Sequence, residues 1–370
     1  QQDAKLWLGY LDRLLLNICG QLEKAGSHYR IVSIAIDGTS STLLACDKDG
    51  RPLAPALMYN DQQALQQAVQ IKQFAPLNCA AHGASSSLAK ALLLFQQHPE
   101  TALFCHQADW LASSLTGLYG ISDENNCLKL GYDSIDQRWP DWLVNNPQPG
   151  LPAYTLPKVV MPGSVITAVK KTMITKYNLA QDCVVVAGTT DSNAAVLAAG
   201  ANKISDAVTS LGSTLVIKVF SETPLFNPDY GIYSHRLNGH WLVGGASNTG
   251  GCVLRQHFSQ QQLDEMTPQL RPEKLLELGY YPLPATGERF PVNDSKKQNN
   301  TSPRPKDDLD FFQALLEGIS HIEAEGYKKL GAPGTTRPGK IFTVGGGSKN
   351  PAWMAIRERI IGIPVIAAKN

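Results

Sequence analysis

Three short apolar runs in this 370-residue chain end in loops of glycine, serine and threonine. Residues 31–36 lead into Asp37-Gly38-Thr39-Ser40-Ser41-Thr42. Residues 184–187 lead into Gly188-Thr189-Thr190-Asp191, and residues 341–344 into Gly345-Gly346-Gly347. A run of four to six apolar residues bounded by turn residues reads as a buried strand. A strand that opens onto such a loop belongs to an open α/β fold, where ligands bind at the strand ends.

Between these runs the periodicity is helical. Leu6, Leu8, Leu11, Leu14, Leu15, Ile18, Cys19 and Leu22 repeat at helical spacing until Gly26. Residues 88–95 and 108–115 give further helices, and residues 192–199 a helix of small side chains. From about residue 200 the pattern turns toward strands. Residues 207–220 alternate on either side of Leu211-Gly212-Ser213-Thr214, and residues 233–243 predict a hairpin around Asn238-Gly239. Residues 293–306 form a polar loop. Residues 308–330 form an amphipathic helix with Phe311, Phe312, Leu315, Leu316, Ile319 and Ile322 on one side. Asn350-Pro351 marks a helix start. The chain therefore reads as two α/β halves, 1–199 and 200–370, with the boundary near Gly200.

Charge excludes some partners. The formal net charge is +1, so neither nucleic acid nor an anionic membrane is an expected partner. No apolar run is long enough to span a bilayer, and the opening residues do not form a secretory signal. Seven cysteines lie far apart with no Cys-x-x-Cys pair, which predicts buried, reduced thiols and a cytoplasmic location.

Each loop allows both a binding role and an ordinary one. Asp191 is either a carboxylate at a sheet edge or the cap of the helix that follows. In Ser210-Leu211-Gly212-Ser213-Thr214, a glycine between hydroxyls turns backbone amides toward an anion or simply makes a β-turn. Gly345-Gly346-Gly347 allows a flat ligand to lie against bare backbone, with the helix start at Asn350 favouring anions. It has the spacing of neither a P-loop nor a dinucleotide fingerprint. Ser40, Ser41, Asn60 and Asp61 supply the hydroxyls, amide and carboxylate that a polyhydroxylated ligand requires, or else serve as turn and surface residues.

Taken in order, these segments resemble the FGGY carbohydrate kinases. Those carrying the likeness are Ile36-Asp37-Gly38-Thr39-Ser40-Ser41-Thr42, Met58-Tyr59-Asn60-Asp61, Ser122-Asp123-Glu124-Asn125-Asn126, Ala187-Gly188-Thr189-Thr190-Asp191, Ser210-Leu211-Gly212-Ser213-Thr214 and Val344-Gly345-Gly346-Gly347. The resemblance implies a two-domain actin-like ATPase (ribonuclease H-like) fold with a cleft between the domains. By the same resemblance, residues 1–199 bind sugar and residues 200–370 bind nucleotide, with closure about Gly200. It implies Asp191 as catalytic base, reaching a metal through water. It implies Gly212, Ser213 and Thr214 at the terminal phosphates, and Gly345, Gly346, Gly347 and Asn350 under the adenosine. Ser40, Ser41, Asn60 and Asp61 would bind the sugar, and Asp123 would either line that site or cap a helix.

The implied activity is ATP-dependent phosphorylation of a ketopentose hydroxyl, with Mg2+. The Asp-Gly-Thr-Ser-Ser form resembles ribulose kinases more than xylulose kinases, so D-ribulose is the expected substrate. D-xylulose, a polyol, or a non-catalytic binding role on the same fold are the alternatives. The chain begins in the helix that follows the family's first phosphate-binding hairpin and stops short of its last helix and strand. Weak or absent turnover is the corresponding expectation.

Overall fold

The apolar runs that feed the first two glycine-threonine loops lie side by side as parallel strands, with Ser33 opposite Val184 and Ala35 opposite Val186. The computed structural model describes residues 1–26, 29–148, 150–331 and 334–369. It divides into two compact units, Gln1–Ala194 and Ala195–Asn370. The division falls within a helix, slightly before the glycine at which the sequence pattern placed it.

Among the described residues the first unit holds strands β1 (Ser33–Ala35), β2 (Leu43–Cys46), β3 (Leu103–His106), β4 (Ile121–Asp123), β5 (Lys158–Val160), β6 (Val165–Ala168) and β7 (Val184–Val186). They pair as β1-β7-β6, β2-β3 and β4-β5. Its helices are α1 (Ala4–Lys24), α2 (Leu65–Phe74), α3 (Ser87–Gln97), α4 (Gln107–Thr116), α5 (Glu124–Cys127), α6 (Asp141–Val144) and α7 (Lys171–Tyr177), and α8 (Asp191–Ala198) carries the division.

Helix α1 starts where the Asp3 carboxylate accepts the Lys5 N–H at 2.9 Å. Its packed stripe is Trp7, Leu11, Leu15 and Cys19, spaced four apart. Leu6 and Leu14, on the apolar stripe predicted from periodicity, are 59% and 57% exposed. The helix is apolar over more than one face, and periodicity does not say which face is covered.

The second unit is built on one sheet. Its strands are β8 (Asp206–Leu211), β9 (Leu215–Ser221), β10 (Tyr233–Leu237), β11 (His240–Ser247), β12 (Lys340–Val344) and β13 (Val365–Ala367), in the order β10-β11-β9-β8-β12-β13. Asn238 and Gly239 turn the β10–β11 hairpin with φ of 53° and 75°, the left-handed pair that a two-residue hairpin requires. Its helices are α9 (Gly251–His257), α10 (Gln260–Met266), α11 (Asp308–Leu330) and α12 (Pro351–Ile361).

The predicted apolar face of α11 is buried in the core with Val219, Val243 and Phe290. Arg357 of α12 meets Glu323 of α11 at 2.6 Å, both fully buried. Thr343 of β12 accepts from the same guanidinium at 2.7 Å, so the pair is satisfied rather than stranded.

All seven cysteines are free thiols. Cys46, Cys105, Cys127 and Cys183 are buried, whereas Cys19, Cys79 and Cys252 are only half-buried. These three pack on the rims of the cores rather than within them.

Candidate active site

Because β1 and β7 are parallel neighbours, their following loops leave the sheet on the same edge. The Gly38 N–H donates to the Thr189 carbonyl at 3.3 Å, and the Asp191 N–H donates to the Gly38 carbonyl at 2.9 Å. Glycine is required at 188 by this approach, since a Cβ there would stand 1.8 Å from the Ile36 carbonyl oxygen. Asp191 opens α8 with an exposed carboxylate, one oxygen of which accepts the Ser192 N–H at 2.6 Å.

The serine loop is stitched to the Tyr59 loop. The Tyr59 N–H donates to Thr42 Oγ1 at 2.9 Å, and Leu43 and Leu57 exchange main-chain hydrogen bonds at 3.0 Å. Ser40 is half-buried. Ser41 is 1% exposed, has φ of 66°, and its Oγ has no hydrogen-bond partner within the protein. Asn60 is exposed and Asp61 half-buried, with the Asp61 N–H on the Met58 carbonyl at 2.9 Å. Ser40, Ser41, Asn60 and Asp61 thus lie on two bonded loops, and Asp191 joins the first through Gly38.

Lys90 of α3 lies beneath both loops, fully buried, with Nζ 2.7 Å from the Ser41 carbonyl and 2.7 Å from the Met58 carbonyl. Burial pulls its pKa down to about 8; the Asp61 charge opposes this and Lys129 adds to it. The sequence reading passed over Lys90. The signal was a lone ammonium among Leu88, Ala89, Ala91, Leu92 and Leu94, all of them buried.

A buried polar layer supports the Asp191 loop. Asn125 Nδ2 donates to Thr189 Oγ1 at 3.0 Å, as does Asn193 Nδ2 at 3.3 Å. Asp123 takes the second of the two roles open to it. It is 2% exposed and caps α5, accepting from the Asn125 and Asn126 N–H groups at 2.9 and 3.1 Å. Burial, reinforced by the Asp109 charge, pushes its carboxyl up to about 7.

The second unit repeats the device. Strands β8 and β12 are parallel, with Ser210 opposite Val344, so the Gly212 and Gly346 loops leave the same edge. They border a cleft of about 530 Å³ lined by Gly212, Ser213, Arg255, Gly346, Lys349 and Asn350, with apolar walls that include Leu263 and Trp353. A cleft of this size suits a nucleotide-sized ligand.

Arg255 of α9, unremarked in the sequence, donates through Nη2 to Ser213 Oγ at 2.8 Å. Asn350 serves two ends. Its Oδ1 accepts the Trp353 N–H at 2.9 Å as the cap of α12, and the residue also lines the cleft.

The glycine triplet divides, with Gly346 and Gly347 in the cleft lining and Gly345 outside it. A Cβ on Gly345 would meet the Leu211 carbonyl oxygen at 2.7 Å, and one on Gly347 would meet Leu211 and Trp353. Gly346 alone of the three faces open space. Gly345 and Gly347 are therefore glycines chiefly because two loops pack closely. Gly345 and Thr214 lie outside the cleft lining. Thr214 instead accepts the Gly212 N–H at 3.2 Å through its carbonyl and shapes the turn.

Among the described residues no group of three or more His, Cys, Asp or Glu side chains forms a metal site. None of the described helices is long and apolar enough to cross a membrane.

A xylulose kinase of Staphylococcus epidermidis is 22% identical, over 92% of this chain and 71% of its own length. That of Escherichia coli is 24% identical, over 98% and 76%. Among solved structures, xylulose kinase from Rhodospirillum rubrum aligns at a TM-score of 0.83 with 21% identity, covering 99% of this chain and 77% of its own. Plasmodium falciparum glycerol kinase with ADP aligns at 0.82 with 17% identity, covering 97% and 76%. Residues 1–198 match the N-terminal domain of the FGGY family of carbohydrate kinases and residues 207–370 match its C-terminal domain, so the chain belongs to that family.

Proposed function

We propose that this FGGY carbohydrate kinase transfers the terminal phosphoryl group of ATP to a hydroxyl of a ketopentose, D-ribulose before others, with Asp191 as the base. One observation carries the proposal. The exposed Asp191 carboxylate opens a helix whose first N–H is bonded to the loop of Ser40 and Ser41.

In this reading Ser40, Ser41, Asn60 and Asp61 hold the sugar. The unit 2 cleft holds ATP, with Arg255 and Lys349 beside its phosphates and Asn350 on its wall. Asp191 accepts the hydroxyl proton as the sugar oxygen bonds to the terminal phosphorus and the bond to the ADP oxygen breaks. Mg2+ would arrive on the nucleotide's phosphates and neutralise part of their charge, with Asp191 reaching it through water. With no cluster of metal-binding side chains among the described residues, the nucleotide is the natural source of most of its ligands.

D-ribulose is put first because the Asp37-Gly38-Thr39-Ser40-Ser41 form resembles that of ribulose kinases more than that of xylulose kinases. D-xylulose is the second reading, favoured by the name that the curated relatives share. ADP release coupled to a visible readout, run over D-ribulose, D-xylulose, glycerol and other polyols, separates the two. ATP hydrolysis unchanged by every sugar overturns both.

A further inference from the structure

Lys90 is placed where packing alone would not put a lysine. Its neighbours on α3 are apolar, and burying an ammonium is expensive unless its hydrogen bonds are met. Two of its three N–H donors are met by main-chain carbonyls, Ser41 and Met58, from two separate loops. Among the described residues no carboxylate lies within ion-pair distance of it. A methionine would fill such a volume more cheaply if filling were the whole task.

Ser41 sits at φ 66°, a conformation that a serine holds only when its surroundings fix it. Lys90 grips its carbonyl, and the Ser41 hydroxyl is left buried and without a protein partner. The other carbonyl, that of Met58, also accepts the Asp61 N–H.

From this arrangement we infer that Lys90 is the positioning residue of the sugar site, holding the Ser40–Ser41 and Asn60–Asp61 loops at one spacing so that a polyhydroxylated ligand meets both. The inference rests on reading those loops as the sugar site.

Proton linkage separates this role from plain packing. Lys90 ionises at about 8 when folded and near 10.5 when unfolded. Between these values the unfolded chain binds the extra proton, so Lys90's contribution to stability rises with pH. Below about 8 its burial penalty is present in full. A lysine that only packs would leave sugar binding unchanged, or improve it, as pH climbs from 8 to 10. A positioning lysine loses its charge-assisted hydrogen bonds over the same span, and sugar binding weakens while stability gains. The charged groups acting on it are Asp61, which favours its charge, and Lys129, which opposes it.

The test compares the wild type with Lys90→Met and Lys90→Arg. Calorimetry measures Kd for D-ribulose, D-xylulose and Mg·ATP from pH 7 to 10. Hydrogen exchange follows residues 39–42 and 57–61 against residues 92–94 of α3.

In Lys90→Met, exchange in both loops should quicken and sugar Kd should rise about tenfold, the loss expected for charge-assisted bonds. Mg·ATP affinity and α3 exchange should hold, and Lys90→Arg should recover part of the sugar affinity. Wild-type sugar Kd should rise several-fold above pH 8 with Mg·ATP unchanged. That series needs no variant to fold.

A flat wild-type series, or Lys90→Met loops that exchange as in the parent, overturns the inference. A wild type that binds no sugar at any pH overturns the sugar reading itself. Loop exchange then decides alone whether Lys90 braces the two segments.

Discussion

The main-chain N–H of Asp191 donates to the Gly38 carbonyl at 2.9 Å, tying the first residue of α8 to the loop that carries Ser40 and Ser41. The backbone of Asp191 held this way cannot drift from that loop without breaking the junction at the end of the parallel β1–β7 pair. Pre-set geometry of this kind is what proton abstraction from a bound hydroxyl needs.

Asp191→Ala should lower sugar-dependent ADP release by at least about 100-fold and leave ATP affinity intact, since the base acts in the chemical step. Coupled kinetics and calorimetry on the same preparation check it. Turnover near that of the parent would remove Asp191 from the proposed role.

Gly188→Ala should destabilise the first unit. A Cβ 1.8 Å from the Ile36 carbonyl oxygen forces the β1 and β7 ends apart. The penalty should be about 3 kcal/mol, a fall of roughly 6–12 °C in melting temperature. Calorimetric scanning measures it, and an unchanged melting point would mean that the two loops are not in close approach.

Arg255→Ala should weaken ATP binding about tenfold, or about 1.4 kcal/mol, while adenosine binding changes by less than about twofold. The guanidinium is exposed and its protein partner is the Ser213 hydroxyl, so it is available to a phosphate. Salt should weaken ATP binding more in the parent than in the variant. Equal losses for ATP and adenosine would place Arg255 away from the phosphates.

Asp123→Asn should flatten the pH dependence of stability. The folded carboxyl ionises at about 7 and the unfolded one near 3.8, so between these values the folded state holds the extra proton. Asp123's contribution to stability is thus highest below pH 4, falls as pH rises toward 7, and its penalty is full above 7. Asparagine keeps an acceptor for the capping N–H groups; Asn126 Nδ2, which donates to Asp123 Oδ2 at 2.6 Å, then faces the new amide, and a flip of the Asn126 side chain turns its partnerless Oδ1 to accept from it. At pH 8 the variant should melt about 2–4 °C higher than the parent, with little difference at pH 4. A melting point that drops equally at both values would show that capping outweighs ionisation.

Local chemistry made a good part of this protein legible in its sequence. The α11 stripe, the Asn238-Gly239 turn and the Asn350 cap follow from spacing and backbone preference within a few residues. The order of the glycine-edged loops identified the family. Contacts between distant segments were not legible. Nothing near Thr189 announces that Asn125 will bond to it, and nothing near Ser41 announces Lys90. Which face of α1 is covered, and which of three adjacent glycines faces open space, depend on what packs against them. Backbone dihedrals and side-chain periodicity are local properties and are written residue by residue. Burial, close approach and the pairing of β1 with β7 depend on segments that meet only once the chain has folded, and that meeting set the surroundings of Asp191, Asp123 and Lys90.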